Sequence, residues 1–151
     1  MNLKELQTIL YFAYGHNTNS GIMKRRASTA ELIPGHAYLN NFRLSFKSFA
    51  NIENHDGARV YGMIWRIDKR ALDVLDVDEG FHKNYNRIPV EVYQDNKVYK
   101  CTTYIMDPDN SYKGLPSKRY LKSLIDGYTE HHLPLNQITM ALHEAKVHID
   151  H

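Results

Sequence analysis

The chain has 151 residues, with 19 Lys plus Arg against 17 Asp plus Glu, a formal charge of +2 and one cysteine. That length suits one domain, and so small a charge excess gives little support to nucleic-acid binding, for which Lys24-Arg25-Arg26 is the one dense basic run. A lone Cys101 excludes an intrachain disulfide and a thiolate-rich zinc site, and no apolar run approaches the roughly 18 residues of a membrane span.

Met1-Asn2-Leu3-Lys4-Glu5-Leu6 holds no signal-peptide core, so the expectation is a cytoplasmic, single-domain protein spanning 1–151. Ile9-Leu10-Tyr11-Phe12-Ala13-Tyr14 is a short apolar run stopped by Gly15, the pattern of a strand buried on both faces. Gly15 to Gly21 is polar and turn-like, and Ser20 is placed to cap a short helix over Ile22 to Arg26. Phe42, Leu44 and Phe46 alternate with Arg43, Ser45 and Lys47, a half-buried strand. Asn51 to Gly57 reads as a polar loop. Val60 to Ile67 is apolar on both faces and so belongs at the centre of a sheet, with Gly62 marking a bulge or a close backbone approach. Asp68 caps a helix from Lys69 to Glu79 with Leu72 and Leu75 on its buried stripe, and Gly80 ends it.

Ile88, Val90 and Val92 alternate as a strand, Asp95-Asn96 turns, and Val98 to Met106 returns. Pro108 and Pro116 bracket a loop. Ser117 caps a helix carrying Tyr120, Leu121, Leu124, Ile125 and Tyr128, and Pro134 precedes a last helix with Leu135, Ile138, Leu142 and Ala145. The last few residues read as a polar tail. With about five or six strands clustered in the middle and three or four helices gathered late, the class is α+β.

Two segments attract chemistry. A strand ending in Gly15 and turning into a helix leaves backbone N–H groups available as an anion nest or oxyanion hole, or it is an ordinary strand-to-helix connection. It lacks the Gly-Lys-Ser/Thr of a nucleotide-phosphate loop and the spaced glycines of a dinucleotide site. The second segment is an acidic helix end, with Asp73, Asp76, Asp78 and Glu79 inside seven residues. Like charges oppose one another's ionisation, and Glu79 also sits at the negative end of the helix dipole, so its pKa is pushed toward the range of a general base. An acidic solvated face is the alternative, and the residues alone do not choose among the four carboxylates. His131-His132, His143, His148 and His151 lack the spacing of a metal motif, Cys101 reads as a structural thiol, and no Gly-x-Ser-x-Gly elbow is present. Tyr85, Arg87 and Tyr120 are polar-edged residues able to hold a carboxylate.

Tyr11-Phe12-Ala13-Tyr14-Gly15-His16-Asn17 resembles the N-terminal Tyr-Phe-Ala-Tyr-Gly-Ser-Asn of the gamma-glutamylcyclotransferase family. Val60 to Trp65, Leu72 to Gly80, Lys100 to Met106, Pro116 to Tyr120 and Leu133-Pro134-Leu135 are similar to later segments in the same order, so the likeness spans nearly the whole chain. The resemblance implies a compact, mixed and mostly antiparallel β-barrel flanked by helices, with the site at its mouth. It implies that the segment Tyr11, Phe12, Ala13, Tyr14, Gly15, His16 and Asn17 holds a γ-glutamyl group through its backbone, that Tyr85 and Tyr120 share the pocket, and that Glu79 is the acid–base residue. The reaction it implies closes the γ-glutamyl part to 5-oxoproline and frees an amine, with no metal or cofactor and no membrane or nucleic-acid partner. A homodimer is permitted, not required. His16 stands where the family usually has Ser, and Thr18 where an apolar residue follows Asn. A non-catalytic γ-glutamyl-binding module on the same scaffold is the rival reading, with His16 in its favour and Glu79 against it.

Overall fold

The computed structural model describes residues 8–81 and 83–149. The expectations for the first six residues and for His151 lie outside them. The elements in order are β1 (Ile9–Ala13), a 3-10 turn (His16–Thr18), α1 (Ser20–Arg26), β2 (Glu31–Lys47), β3 (Phe49–Ile67), α2 (Lys69–Glu79), β4 (Tyr85–Gln94), β5 (Lys97–Met106), α3 (Lys118–Glu130) and α4 (Asn136–Ile149). The strands close into a barrel in the order β1-β3-β2-β4-β5. Every pairing is antiparallel except that of β1 with β5, where Tyr11 meets Thr102. This is the expected α+β barrel with flanking helices.

Alternation explains why β1 sits between two cores. Phe12 and Tyr14 enter one cluster with Leu39, Ile52, Ile64, Leu124 and Tyr128, so α3 packs on that face. Tyr11 and Ala13 enter the other, with Met23 of α1 and Leu72 and Leu75 of α2. β3 does the same, sending Ile64 to the first and Trp65 and Ile67 to the second. A strand buried on both faces must be apolar at nearly every position, which is what the two runs show.

Three expectations need correction. Asn51 to Gly57 is strand, not loop: Asn51 pairs with Ser45, Ile52 with Leu44, Glu53 with Arg43 and Asn54 with Phe42. Along this arm of a long hairpin, half-buried Asn51 and Glu53 alternate with buried Ala50 and Ile52, and from Asn54 to Gly57 the arm faces water. The 55–58 stretch then bulges opposite Asn41, whose Oδ1 accepts from Gly57 N. Second, β2 begins at Glu31, well before Phe42, and carries an irregularity between Ile33 and Ala37. Third, Asn19 rather than Ser20 caps α1, its Oδ1 accepting from Ile22 N at 3.2 Å. Asp68 and Ser117 cap α2 and α3 as expected, accepting from Ala71 N and Tyr120 N. Among the described residues no helix is long and apolar enough to cross a membrane.

Candidate active site

Four elements end around one cavity of about 190 Å³. β1 delivers Tyr11, Tyr14 and the Gly15–Asn17 turn; α2 ends there with Asp78 and Glu79; β4 opens with Tyr85; α3 sends in Tyr120 from its first turn. Gly80 adopts a left-handed φ of 66°, and Phe81 N donates back to Asp76 O at 2.9 Å. That cap stops α2 with its last side chain turned toward the strand end.

Glu79 is the buried acid. Its side chain keeps 19% of its surface exposed, and burial carries its pKa from an ordinary 4.5 up to about 7. Arg26, with Nη1 3.9 Å from Glu79 Oε1, opposes that rise, while Asp78 adds to it. Desolvation of the charged form outweighs one distant cation, and the carboxyl is left half-ionised near neutrality. Arg26 is itself held, donating from Nη1 to Asn17 Oδ1 at 3.0 Å and lying 3.6 Å from Asp78 Oδ2 through Nε. Asn17 Nδ2 in turn donates to the Tyr11 hydroxyl at 3.0 Å, and Trp65 Nε1 to Asn17 O at 3.0 Å. The side-chain amide and the carbonyl of Asn17 thus tie α1, β1 and β3 together.

The turn is built for close approach. A Cβ on Gly15 would lie 3.0 Å from Ala50 Cβ and 3.6 Å from the Tyr120 hydroxyl. The Gly15 carbonyl accepts from Thr18 N at 3.0 Å and Thr18 Oγ1 at 2.7 Å, so the carbonyl is engaged by the turn itself. Ala50 is gripped from both sides: its N–H donates to Tyr120 and its carbonyl accepts from Tyr85, at 3.0 and 2.7 Å. Tyr14 donates to Tyr104 O, Tyr104 to Asp76 Oδ1, and Tyr128 to Tyr14 O, each at 2.6 Å. Burial and the neighbouring Glu79 push the Tyr11, Tyr14, Tyr85 and Tyr104 hydroxyls well up, so all remain neutral at pH 7. Gly15→Val is expected to raise KM and lower kcat together, because its Cβ already crowds Ala50 and the Tyr120 hydroxyl and its two methyls add bulk at the cavity wall; steady-state kinetics on a folded variant checks this.

Of the residues expected here, Tyr11, Tyr14, Gly15, His16, Asn17, Glu79, Tyr85 and Tyr120 line the cavity. Phe12 and Ala13 are buried in the two cores instead, at 0% and 1% exposure. His16 turns its ring onto Tyr120, centroids 5.0 Å apart, with Nε2 2.8 Å from Ser123 Oγ. Burial, with Arg26 and Arg25, lowers its pKa to about 4, so the ring is neutral near pH 7. Arg87 lies outside the cavity, stacked 4.3 Å over Phe81 with Nε 3.3 Å from Asp76 Oδ1. Sequence reasoning missed Arg26, Phe49, Ala50, Asp78 as a wall, Tyr104 and Tyr112. Arg26 was visible only as part of a basic triplet. Among the described residues no group of three or more His, Cys, Asp or Glu is placed to hold a metal ion. Cys101 is buried, its thiol pushed up to about 12.

A small closed barrel flanked by helices, with a glycine turn and one largely buried carboxyl lining the cavity at its mouth, defines an α+β barrel protein with a pocket of small-ligand size. The comparisons agree with that fold. The AIG2-like family matches residues 59–140. The chain is 31% identical over 145 residues to a gamma-glutamylcyclotransferase of Bos taurus, covering 85% of this chain and 74% of the relative. It is 32% identical over 143 residues to the Homo sapiens protein of the same name, with the same coverage. A solved gamma-glutamyl cyclotransferase superposes with a TM-score of 0.76 at 30% identity, covering 87% of this chain and 85% of that one. The chain belongs to the gamma-glutamylcyclotransferase family.

Proposed function

We propose that this chain is a γ-glutamylcyclotransferase in which Glu79 carries the protons. The observation that carries the reading is a carboxyl largely withdrawn from water, Glu79, lining the same cavity as the Gly15 turn. The substrate is a γ-glutamyl amide, of an amino acid or an amine. Its own α-amino group is the nucleophile, and closure of a five-membered ring is favoured because the reacting ends are already tethered. Glu79, as carboxylate, takes a proton from the α-ammonium group. The freed nitrogen attacks the γ-carbonyl carbon, and the carbonyl electron pair moves to oxygen, where N–H groups of the turn hold it. Glu79 passes its proton to the departing nitrogen, takes the second proton from the ring nitrogen, and passes that on as well. The original C–N bond breaks, 5-oxoproline forms, the amine leaves as its ammonium ion, and Glu79 ends as it began. No protein nucleophile is needed, which accounts for the absence of any persuasive one. The binding-module reading rests on His16, whose ring is engaged with Ser123 and leaves Glu79 facing the cavity.

Release of 5-oxoproline from γ-glutamyl substrates, followed by mass spectrometry, is the direct test; no release by the folded protein sinks the reading. The pH dependence sharpens it. Free enzyme must hold Glu79 ionised, so kcat/KM is expected to climb about tenfold per pH unit below the apparent pKa near 7 and to flatten above it. A profile flat from pH 5 to 8 would remove Glu79 from the base role.

A further inference from the structure

The inner end of the cavity is closed by buried tyrosines, Tyr11, Tyr14, Tyr85 and Tyr104, each 5% exposed or less. The outer end is different. Phe49 lines it at 38% exposure, a large apolar ring left facing water at the mouth. Tyr112 and Tyr120 meet its ring edge-on, with centroids 4.9 and 5.2 Å away.

This wall is held, not loose. Ser48, in the left-handed region at φ 61°, turns β2 into β3 and aims Phe49 at the mouth. Its N–H donates to Gly114 O at 2.7 Å and its hydroxyl to Lys113 O, which clamps the turn to the loop bearing Tyr112. Asn110 Oδ1 accepts from Tyr112 N at 2.8 Å, fixing that residue from its own side. A strained non-glycine residue and a double clamp that keep an aromatic ring exposed are a costly way to build a surface with no ligand.

The charges point the same way. Among the described residues, Arg26 and His16 are the only cationic residue types lining the cavity, and Arg26 is already shared among Asn17, Asp78 and Glu79. The His16 ring is neutral near pH 7. Every γ-glutamyl substrate brings one carboxylate on its glutamyl part. A second carboxylate, on the amine part, finds no free cation among the described lining residues. Because the inner end is closed and Glu79 must reach the scissile nitrogen, the substituent on that nitrogen extends outward, onto Phe49.

We propose that Phe49 and Tyr112 form the leaving-amine subsite, and that the preferred substrates are γ-glutamyl amides of apolar or aromatic amines without a carboxylate. This rests on the reaction proposed above and narrows it. The test uses three compounds, γ-glutamyl-phenethylamide, γ-glutamyl-phenylalanine and γ-glutamyl-glycine. The expected order of kcat/KM is phenethylamide, then phenylalanine, then glycine, with at least about tenfold between the ends, the discrimination that one apolar pocket provides. In Phe49→Ala that ratio is expected to collapse toward unity, and Phe49→Leu to restore part of it. A ratio is unmoved by a general loss of folded enzyme, so a merely structural role for Phe49 would leave it intact. Calorimetric binding of the same three compounds to Glu79→Gln gives the ranking without turnover. Ranked binding with no turnover by the wild-type chain would sink the reaction and keep the subsite. Turnover or binding that favours the glycine compound, or a ratio that Phe49→Ala leaves unchanged, would overturn the subsite and keep the reaction.

Discussion

Glu79→Gln is expected to abolish 5-oxoproline release and at the same time to stabilise the protein above neutral pH. Gln has the shape of Glu but neither takes nor returns a proton, so the loss of turnover should reach at least the roughly 10²–10⁴-fold that general acid–base catalysis contributes. The gain in stability follows from the same burial. Folding carries the Glu79 pKa up from 4.5 to about 7. Between those values the folded state holds a proton that the unfolded state has lost, so stability falls as pH rises through that window. Above it the folded protein carries a penalty on the order of 2–3 kcal/mol for an ionised carboxyl in a poorly solvated place. The variant removes that penalty. Thermal melts of both proteins at pH 8 and pH 5 should show the variant ahead at pH 8 and the difference mostly gone at pH 5. Equal melting temperatures at pH 8 would mean that Arg26 compensates the buried charge more fully than its 3.9 Å separation implies.

Gly62→Ala is expected to cost more stability than any other conservative change in the barrel. The added Cβ would stand 2.2 Å from Ala13 O and 2.9 Å from the Phe12 ring. The first contact is backbone, and it belongs to the strand that leads into the Gly15 turn, so no side-chain rotation relieves it. Overpacking of this kind typically costs 1–3 kcal/mol and occasionally more. With a backbone atom as the obstacle, roughly 3 kcal/mol is expected, a fall in Tm of roughly 6–12 °C for a chain this size. Chemical denaturation gives the free energy and scanning calorimetry the Tm. A shift below about 2 °C would show that β1 moves aside freely. Because β1 leads directly into Tyr14 and Gly15, the same variant should lose activity even when folded.

Gly62 was legible from sequence as either a bulge or a close backbone approach, and the approach of Ala13 O decides for the second. The two strands buried on both faces were legible for the same reason: neither face offers a polar position. The helix limits around Asp68, Gly80 and Ser117 followed from capping chemistry that acts within one turn. What escaped was set by distant partners. Asn51 to Asn54 form a strand because Phe42 to Ser45 pair with them, and nothing local announces that. Asn19 and Ser20 are both good caps, and the 3-10 turn before α1 decides for Asn19. The site divides along the same line. Glu79 and the Gly15 turn lie at element ends, where pattern alone marks a break in the rules. Arg26, Phe49 and Tyr112 reach the cavity only through the way α1, the β2–β3 turn and the 107–117 loop converge in space.

The pairing of β1 has a cost in time. Its neighbours are Trp65 on one side and Thr102 on the other, both far downstream. During synthesis the first strand emerges with two apolar faces and no partner until β3 arrives, and the ring closes only when β5 follows. Contacts so remote in sequence slow folding, while the local β2–β3 and β4–β5 hairpins form early. An unpaired apolar edge exposed over that interval is where misassembly between nascent chains would begin. The Gly15 turn takes its final place only when both partners of β1 are in position, so the pocket and the barrel depend on the same closure.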